Sequence, residues 1–223
     1  MAAIVLTAMP VASAQQSSER RLPVEIDGKY GFIDASSHLV IAADFDLVWG
    51  FSEGLASAWR NEEAGYIDES GNFVIPPQFQ YASAFSEGLA GVESGDKWGY
   101  VNQRGSLVIP PRYRQSQAFS EGLASVQTAT GLWGFVDEDG VETITPRFTL
   151  AWSFSEHVAA VYHGEKCGFI DANGIVVVPF RFRAAMLHRT QQLRINPRQP
   201  SQGLRIQPIV LLSTLSDPPY VAG

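Results

Sequence analysis

Apolar and polar residues alternate along this chain in short runs, and a turn-forming residue closes each run. Trp98-Gly99-Tyr100-Val101-Asn102 reads as a strand, Gln103-Arg104-Gly105-Ser106 as a tight turn, and Leu107-Val108-Ile109 as a second strand. Proline has no N–H for a ladder, so Pro110-Pro111 ends that strand or lies on an exposed edge. An irregular stretch carrying Tyr113 and Phe119 then leads to the turn Ser120-Glu121-Gly122. Leu123-Ala124-Ser125-Val126 forms a third strand. Branched and aromatic side chains suit a pleated, half-buried surface. No apolar 3.6-residue period persists for the ten or so residues that a helix needs. The pattern predicts an all-β chain.

The same pattern recurs. Gly31, Gly65, Gly99, Gly134 and Gly168 are spaced by 34, 34, 35 and 34 residues, and Trp98 and Trp133 precede two of them. A second word keeps the same clock: Phe51-Ser52-Glu53-Gly54, Phe85-Ser86-Glu87-Gly88, Phe119-Ser120-Glu121-Gly122 and Phe154-Ser155-Glu156-His157. Six residues after each marker glycine stands a turn residue: Ser37, Gly71, Gly105, Gly140 or Gly174. Eight further on comes an aromatic: Phe45, Phe79, Tyr113, Phe148 or Phe182. The one extra residue falls in the turn Thr128-Ala129-Thr130-Gly131-Leu132, where a loop absorbs it.

One such unit has too few apolar residues for a core of its own. Stacked neighbours share one, with Trp98, Tyr100, Phe79, Phe85 and their equivalents as its large members. The sequence therefore predicts five tandem antiparallel β-hairpin repeats of about 34 residues over 24–183, stacked as an open curved array. Three strands per unit and no closure suffice for this arrangement. The alternative, a five-bladed propeller-like closure, needs four very short strands in each unit.

Lys97-Trp98-Gly99-Tyr100-Val101, Val108-Ile109-Pro110-Pro111, Phe119-Ser120-Glu121-Gly122-Leu123-Ala124 and Leu132-Trp133-Gly134-Phe135-Val136 resemble the bacterial WG repeats. The resemblance covers about residues 24–183. Departures are Tyr30, Ala64 and Cys167 at the tryptophan position, and Ile41-Ala42-Ala43 where the first unit is due its prolines. The resemblance implies an all-β repeat architecture, bacterial origin, frequent export and a binding role. It implies no catalytic activity and no cofactor.

The ends read differently. Residues 1–14 form an apolar leader closed by the small-x-small site Ala12-Ser13-Ala14, although no Lys or Arg precedes the apolar run. That pattern predicts a signal peptide, a linker over 15–23 and a periplasmic or extracellular address, the alternative being an apolar leader on a cytoplasmic protein. After Phe182 the register is lost, and His188-Arg189-Thr190-Gln191 stands where the phenylalanine word is due. From Arg181 to Gly223 there are six arginines and one acid, Asp217. Residues 184–223 therefore read either as a basic arm for an acidic partner or as a disordered tail.

Composition narrows the function classes. The chain has 223 residues and a net charge of −7, which argues against nucleic acid as its partner. One cysteine excludes a disulfide framework, and no run of 18 apolar residues provides a membrane-spanning helix. Glu53, Glu87, Glu121 and Glu156 could suggest a paired-carboxylate hydrolase. Catalytic acids need distinct environments, however, and these recur in identical ones, so a structural turn is the better reading. Asp68-Glu69-Ser70-Gly71 and Asp137-Glu138-Asp139-Gly140 lack the ligand spacing of a calcium loop and read as hairpin turns. Cys167 reads as a buried thiol in place of a core tryptophan. His157 and His163 lack a third metal ligand at a suitable spacing. The signature residues Gly31, Phe51, Gly65, Phe85, Trp98, Gly99, Phe119, Trp133, Gly134, Phe154 and Gly168 are accordingly structural, with no catalytic, metal or cofactor residue among them.

The expected function is an exported, non-enzymatic binding module that offers its repeat surface, with aromatics such as Trp59 and Trp152, to a protein or glycan. A purely structural spacer is the alternative. An enzyme would have to use the non-repeated acids Glu62, Glu63 and Glu142.

Overall fold

The structure, a computed structural model, describes residues 20–183. The leader over 1–14 and the tail over 184–223 lie outside the described residues, as does most of the linker. All described secondary structure is β. The first sheet holds β1 (Leu22–Ile26), β2 (Lys29–Ile33) and β3 (Leu39–Phe45), so the array begins two residues ahead of the expected boundary at 24. The second holds β4 (Leu47–Val48), β5 (Ala56–Arg60), β6 (Glu63–Ile67) and β7 (Phe73–Phe79). The third holds β8 (Tyr81–Ala82), β9 (Leu89–Ser94), β10 (Lys97–Asn102) and β11 (Leu107–Tyr113). The fourth comprises β12 (Gln115–Ser116), β13 (Ala124–Gln127), β14 (Trp133–Val136) and β15 (Glu142–Phe148). The fifth comprises β16 (Leu150–Ala151), β17 (Ala159–His163), β18 (Lys166–Ile170) and β19 (Val176–Phe182). Every described sheet is an antiparallel meander, and among the described residues the set is not closed into a ring.

Two expectations change. Sheets two to five have four strands rather than three, because a two-residue strand precedes the phenylalanine word and pairs with the strand after it. The sequence unit Trp98–Val126 is therefore not one sheet: it supplies two strands to the third sheet and two to the fourth. Of the two readings of the proline pair, the structure has the exposed edge rather than the strand end. β11 runs through Pro110-Pro111 at the outer edge of its sheet, where missing N–H groups cost no ladder bonds.

A wide bulge sits at that point. Trp98 pairs with Tyr113 and Tyr100 with Ile109, so four residues of β11 span what two residues of β10 span. The marker glycine lies opposite the bulge. A Cβ on Gly31, Gly65, Gly99, Gly134 or Gly168 would fall within 2.6 Å of the backbone carbonyl of Ile41, Ile75, Ile109, Ile144 or Val178. The first sheet has Ala42-Ala43 in place of prolines and keeps the same bulge, pairing Tyr30 with Phe45 and Phe32 with Ile41. The glycine, not the proline pair, is the constant requirement.

The core lies between sheets. Each of four apolar clusters draws on two neighbouring sheets; Tyr66, Ile75 and Phe79 of the second, for example, pack with Phe85, Ala90 and Val92 of the third. At every junction a ring from one sheet meets the phenylalanine of the next word: Phe32 with Phe51, Tyr66 with Phe85, Tyr100 with Phe119, and Phe135 with Phe154. Their centroids are 4.7–5.0 Å apart. Among the described residues no helix is long and apolar enough to cross a membrane.

Gly99→Ala is expected to lower stability by about 2 kcal/mol, because the bulge cannot give way without moving backbone. Gly50→Ala, facing open space, should leave the urea midpoint unchanged. Paired urea unfolding curves read the contrast.

Candidate functional site

Most conspicuous polar residues of the repeat serve the junctions. Ser52, Ser86 and Ser120 donate from Oγ to the carbonyls of Phe85, Phe119 and Phe154 in the next repeat, at 2.7–2.8 Å. The glutamates reach the same way. Glu53 accepts the Gly88 amide, Glu87 those of Glu121 and Gly122, and Glu121 that of His157, at 2.7–2.9 Å. Each word is itself a two-residue hairpin loop. Ser86 and Leu89 exchange backbone bonds across Glu87 and Gly88, both at positive φ (54° and 80°), the geometry of a type I′ turn. His157 takes the glycine place at φ 67°, with its Nδ1 at 3.4 Å from the Glu121 carboxylate.

These carboxylates are therefore spent on neighbouring backbone amides, and they share one environment. The Asp and Asn residues of the turns behave likewise. Asp34, Asp68, Asn102, Asp137 and Asp171 each accept, on Oδ1, the amides two and four residues on, at 2.8–3.2 Å. The two calcium-like stretches are hairpin turns of this kind. Among the described residues no cluster of His, Cys, Asp and Glu can hold a metal ion. Glu62 and Glu63 sit exposed at the β5–β6 tip and Glu142 exposed on β15 in another sheet, so the structure does not bring the non-repeated acids together.

The signature rings line the junctions, and the signature glycines face the bulge of their own sheet. Phe85, Phe119, Phe154 and Trp133 are buried, while Phe51 and Trp98 are partly covered. Tyr66 and Tyr100 donate from their phenols to the carbonyls of Ser83 and Gln117, at 2.8 and 2.7 Å. Burial raises both phenols above their ordinary range. Trp59, expected on the surface, is only 8% exposed: it packs in the junction core, its ring 5.6 Å from that of Tyr81. Strand alternation turns that side chain toward the next sheet, which a single repeat does not reveal.

Among the described residues the exposed large rings are Trp49, Trp152 and Tyr81, and Tyr81 packs against Trp59 and Trp98. Trp49 is 50% exposed and Trp152 46% exposed. These two tryptophans hold equivalent positions, just after the two-residue strands β4 and β16, with their amides bonded to the Ser57 and Ala160 carbonyls. The other repeats place Ser83 and Gln117 there, and both bond within the fold. Sequence reading missed Trp49; its spacing from Trp152 by three repeats was the available signal.

Comparison with known proteins places this geometry. The model of the WG containing repeat family matches residues 30–58, 65–98, 98–128 and 133–167, more than half of the chain. The chain belongs to that family. No curated protein sequence matches it. Among solved structures, the computationally designed Ika8 protein is 12% identical, with 67% of this chain and 55% of that one covered, at a TM-score of 0.47. Hsv2p of Kluyveromyces lactis is 10% identical over 69% and 59% of the two chains, at 0.47. The WD40 beta propeller domain of Doa1 is 12% identical over 70% and 64%, at 0.39. The WG-repeat chain spans less than two thirds of the length of each of these structures.

Cys167, buried at the tryptophan position of the fifth WG repeat, has its thiol raised chiefly by burial. It is expected to ignore a disulfide reagent at pH 8 in the native protein and to react fully in urea, because both access and thiolate formation wait on unfolding. Absorbance of the released thiol reads this directly.

Proposed function

We propose that this WG-repeat protein is an exported, non-enzymatic binding module that presents the surface of its stacked sheets to a protein or glycan. The observation that carries the reading is the pair Trp49 and Trp152, large rings held in solvent at one repeat position while the other signature rings are drawn into junctions. A solvent-held indole offers much contact area at low entropy cost, the property of residues that dominate binding surfaces. The absence of catalysis is supported by acids committed to neighbouring amides. Export rests on the apolar leader and its Ala12-Ser13-Ala14 site.

Trp49→Ala with Trp152→Ala is expected to weaken capture on a glycan array or in a pull-down by about tenfold or more, with the circular dichroism spectrum unchanged. Parent-like capture by the double variant would refute the reading. Release of reducing ends from any bound glycan would refute its non-enzymatic half.

A structural array is the second reading, favoured by the uniformity of the junction contacts. It expects deletion of 65–98 to leave a folded, shorter protein that keeps its cellular role. A binding module would lose affinity in the same deletion.

A further inference from the structure

One row of the repeat is not uniform. Thirteen residues after the marker glycine the chain reads Asp44, Gln78, Arg112, Arg147 and Arg181, and fifteen after it Asp46, Gln80, Arg114, Thr149 and Arg183. The first position of each pair lies on the edge strand and the second just past its end, with the more buried ring between them. The outer edge of the array thus runs from acidic at the first sheet to basic over the third, fourth and fifth. All five arginines are exposed in a chain of net charge −7.

The arginines are presented, not paired. Arg112 lies over the Tyr113 ring and Arg147 over the Phe148 ring, each at 5.0 Å, and Arg181 lies over Phe182 at 5.3 Å. Arg112 crosses its junction to donate from Nη2 to the Gly140 carbonyl at 2.6 Å, and Arg147 does the same to Gly174 at 2.7 Å. One terminal nitrogen anchors each head, that of Arg112 also donating to the Tyr113 hydroxyl at 2.7 Å, and among the described residues Nη1 and Nε of both make no hydrogen bond. Among the described residues none of the five arginines is in an ion pair.

We propose that Arg112, Arg114, Arg147, Arg181 and Arg183 form a docking track for a linear acidic polysaccharide bearing uronate carboxylates. This rests on the binding-module reading above and names the glycan class. A guanidinium fork pairs with a carboxylate through two parallel hydrogen bonds, and stacking on a ring fixes its direction beforehand. The row repeats with the spacing of packed sheets, roughly 10 Å, so a polymer of regular charge spacing can engage successive positions. A second copy of the chain is a poor match. Within the row itself Asp46 is already bonded to Lys29 and to the Asn61 amide, so the row offers Asp44 alone as a matching acid for five arginines.

Affinity electrophoresis of the full chain tests the track, with polygalacturonate, neutral dextran or polyglutamate cast in the gel. Retardation by polygalacturonate alone is expected, weakening as salt rises. Arg114→Gln with Arg181→Gln should lower the affinity at least tenfold; neither residue holds a turn carbonyl, so the fold is kept. Gln78→Arg, which extends the row into the second sheet, should tighten binding. Parent-like retardation of the double arginine variant overturns the track, as does equal retardation by polyglutamate, or none by polygalacturonate at low salt. Binding lost in the tryptophan variant but kept in the arginine variant overturns the track and leaves the binding-module reading standing. The reverse pattern upholds the track and removes the role given to Trp49 and Trp152.

Discussion

Every sheet in this protein depends on its neighbour, because no sheet encloses apolar residues of its own. The four clusters of buried side chains lie at the four junctions, and each takes members from two sheets. A fully buried aromatic is worth roughly 2–3 kcal/mol of transfer free energy, and that gain exists only when the next sheet is in place. Stability in such an array is a sum over neighbours. The ring pair marks all four junctions, and at the three after the first a serine–carbonyl bond and a glutamate–amide bond join it in one register.

That constraint explains what could be read in advance. The period, the β content and the structural standing of the glycines and phenylalanines follow from residues that every junction needs alike. The two-residue strands were not legible. A segment such as Leu47-Val48 is too short to show alternation, and its pairing with β5 crosses the whole phenylalanine word. Pro110-Pro111 left a strand end and an exposed edge both open, because local chemistry cannot distinguish a stop from a bulged edge. The sheet order decides it. Trp59 was misplaced for a related reason: its side chain faces a sheet that begins more than twenty residues later.

The candidate surface was less legible than the fold, and the cause is physical. Aligning repeats draws attention to what recurs, and what recurs here is consumed by packing. Binding chemistry must reside where repeats differ. Trp49 and Trp152 stand where other copies have Ser83 and Gln117. The row from Asp44 through Gln78 to Arg112, Arg147 and Arg181 changes sign along the array while its rings and glycines stay constant. Constant residues hold the junctions together, and variable residues then become a pattern that repeats from sheet to sheet along the edge.

The first sheet shows the same logic from the other side. Sheets two to five carry glycine at the turn that presses on the isoleucine of the preceding sheet, where an added Cβ would come within 3.3 Å of that side chain. The first sheet has Ser37 there, at φ 65°, and its turn faces no preceding sheet among the described residues. A serine in that backbone region costs about 1 kcal/mol, far less than a blocked junction. Pro23 follows suit. Its equivalents Ser57, Gly91, Ser125 and Ala160 face the two-residue strands, each accepting an amide from beyond that strand's end. Among the described residues β1 has no such strand beside it and tolerates a residue without an N–H, which also makes that edge a poorer template for pairing. The glycine is held in place by the junction itself, and it gives way in the one described sheet whose turn meets no preceding sheet.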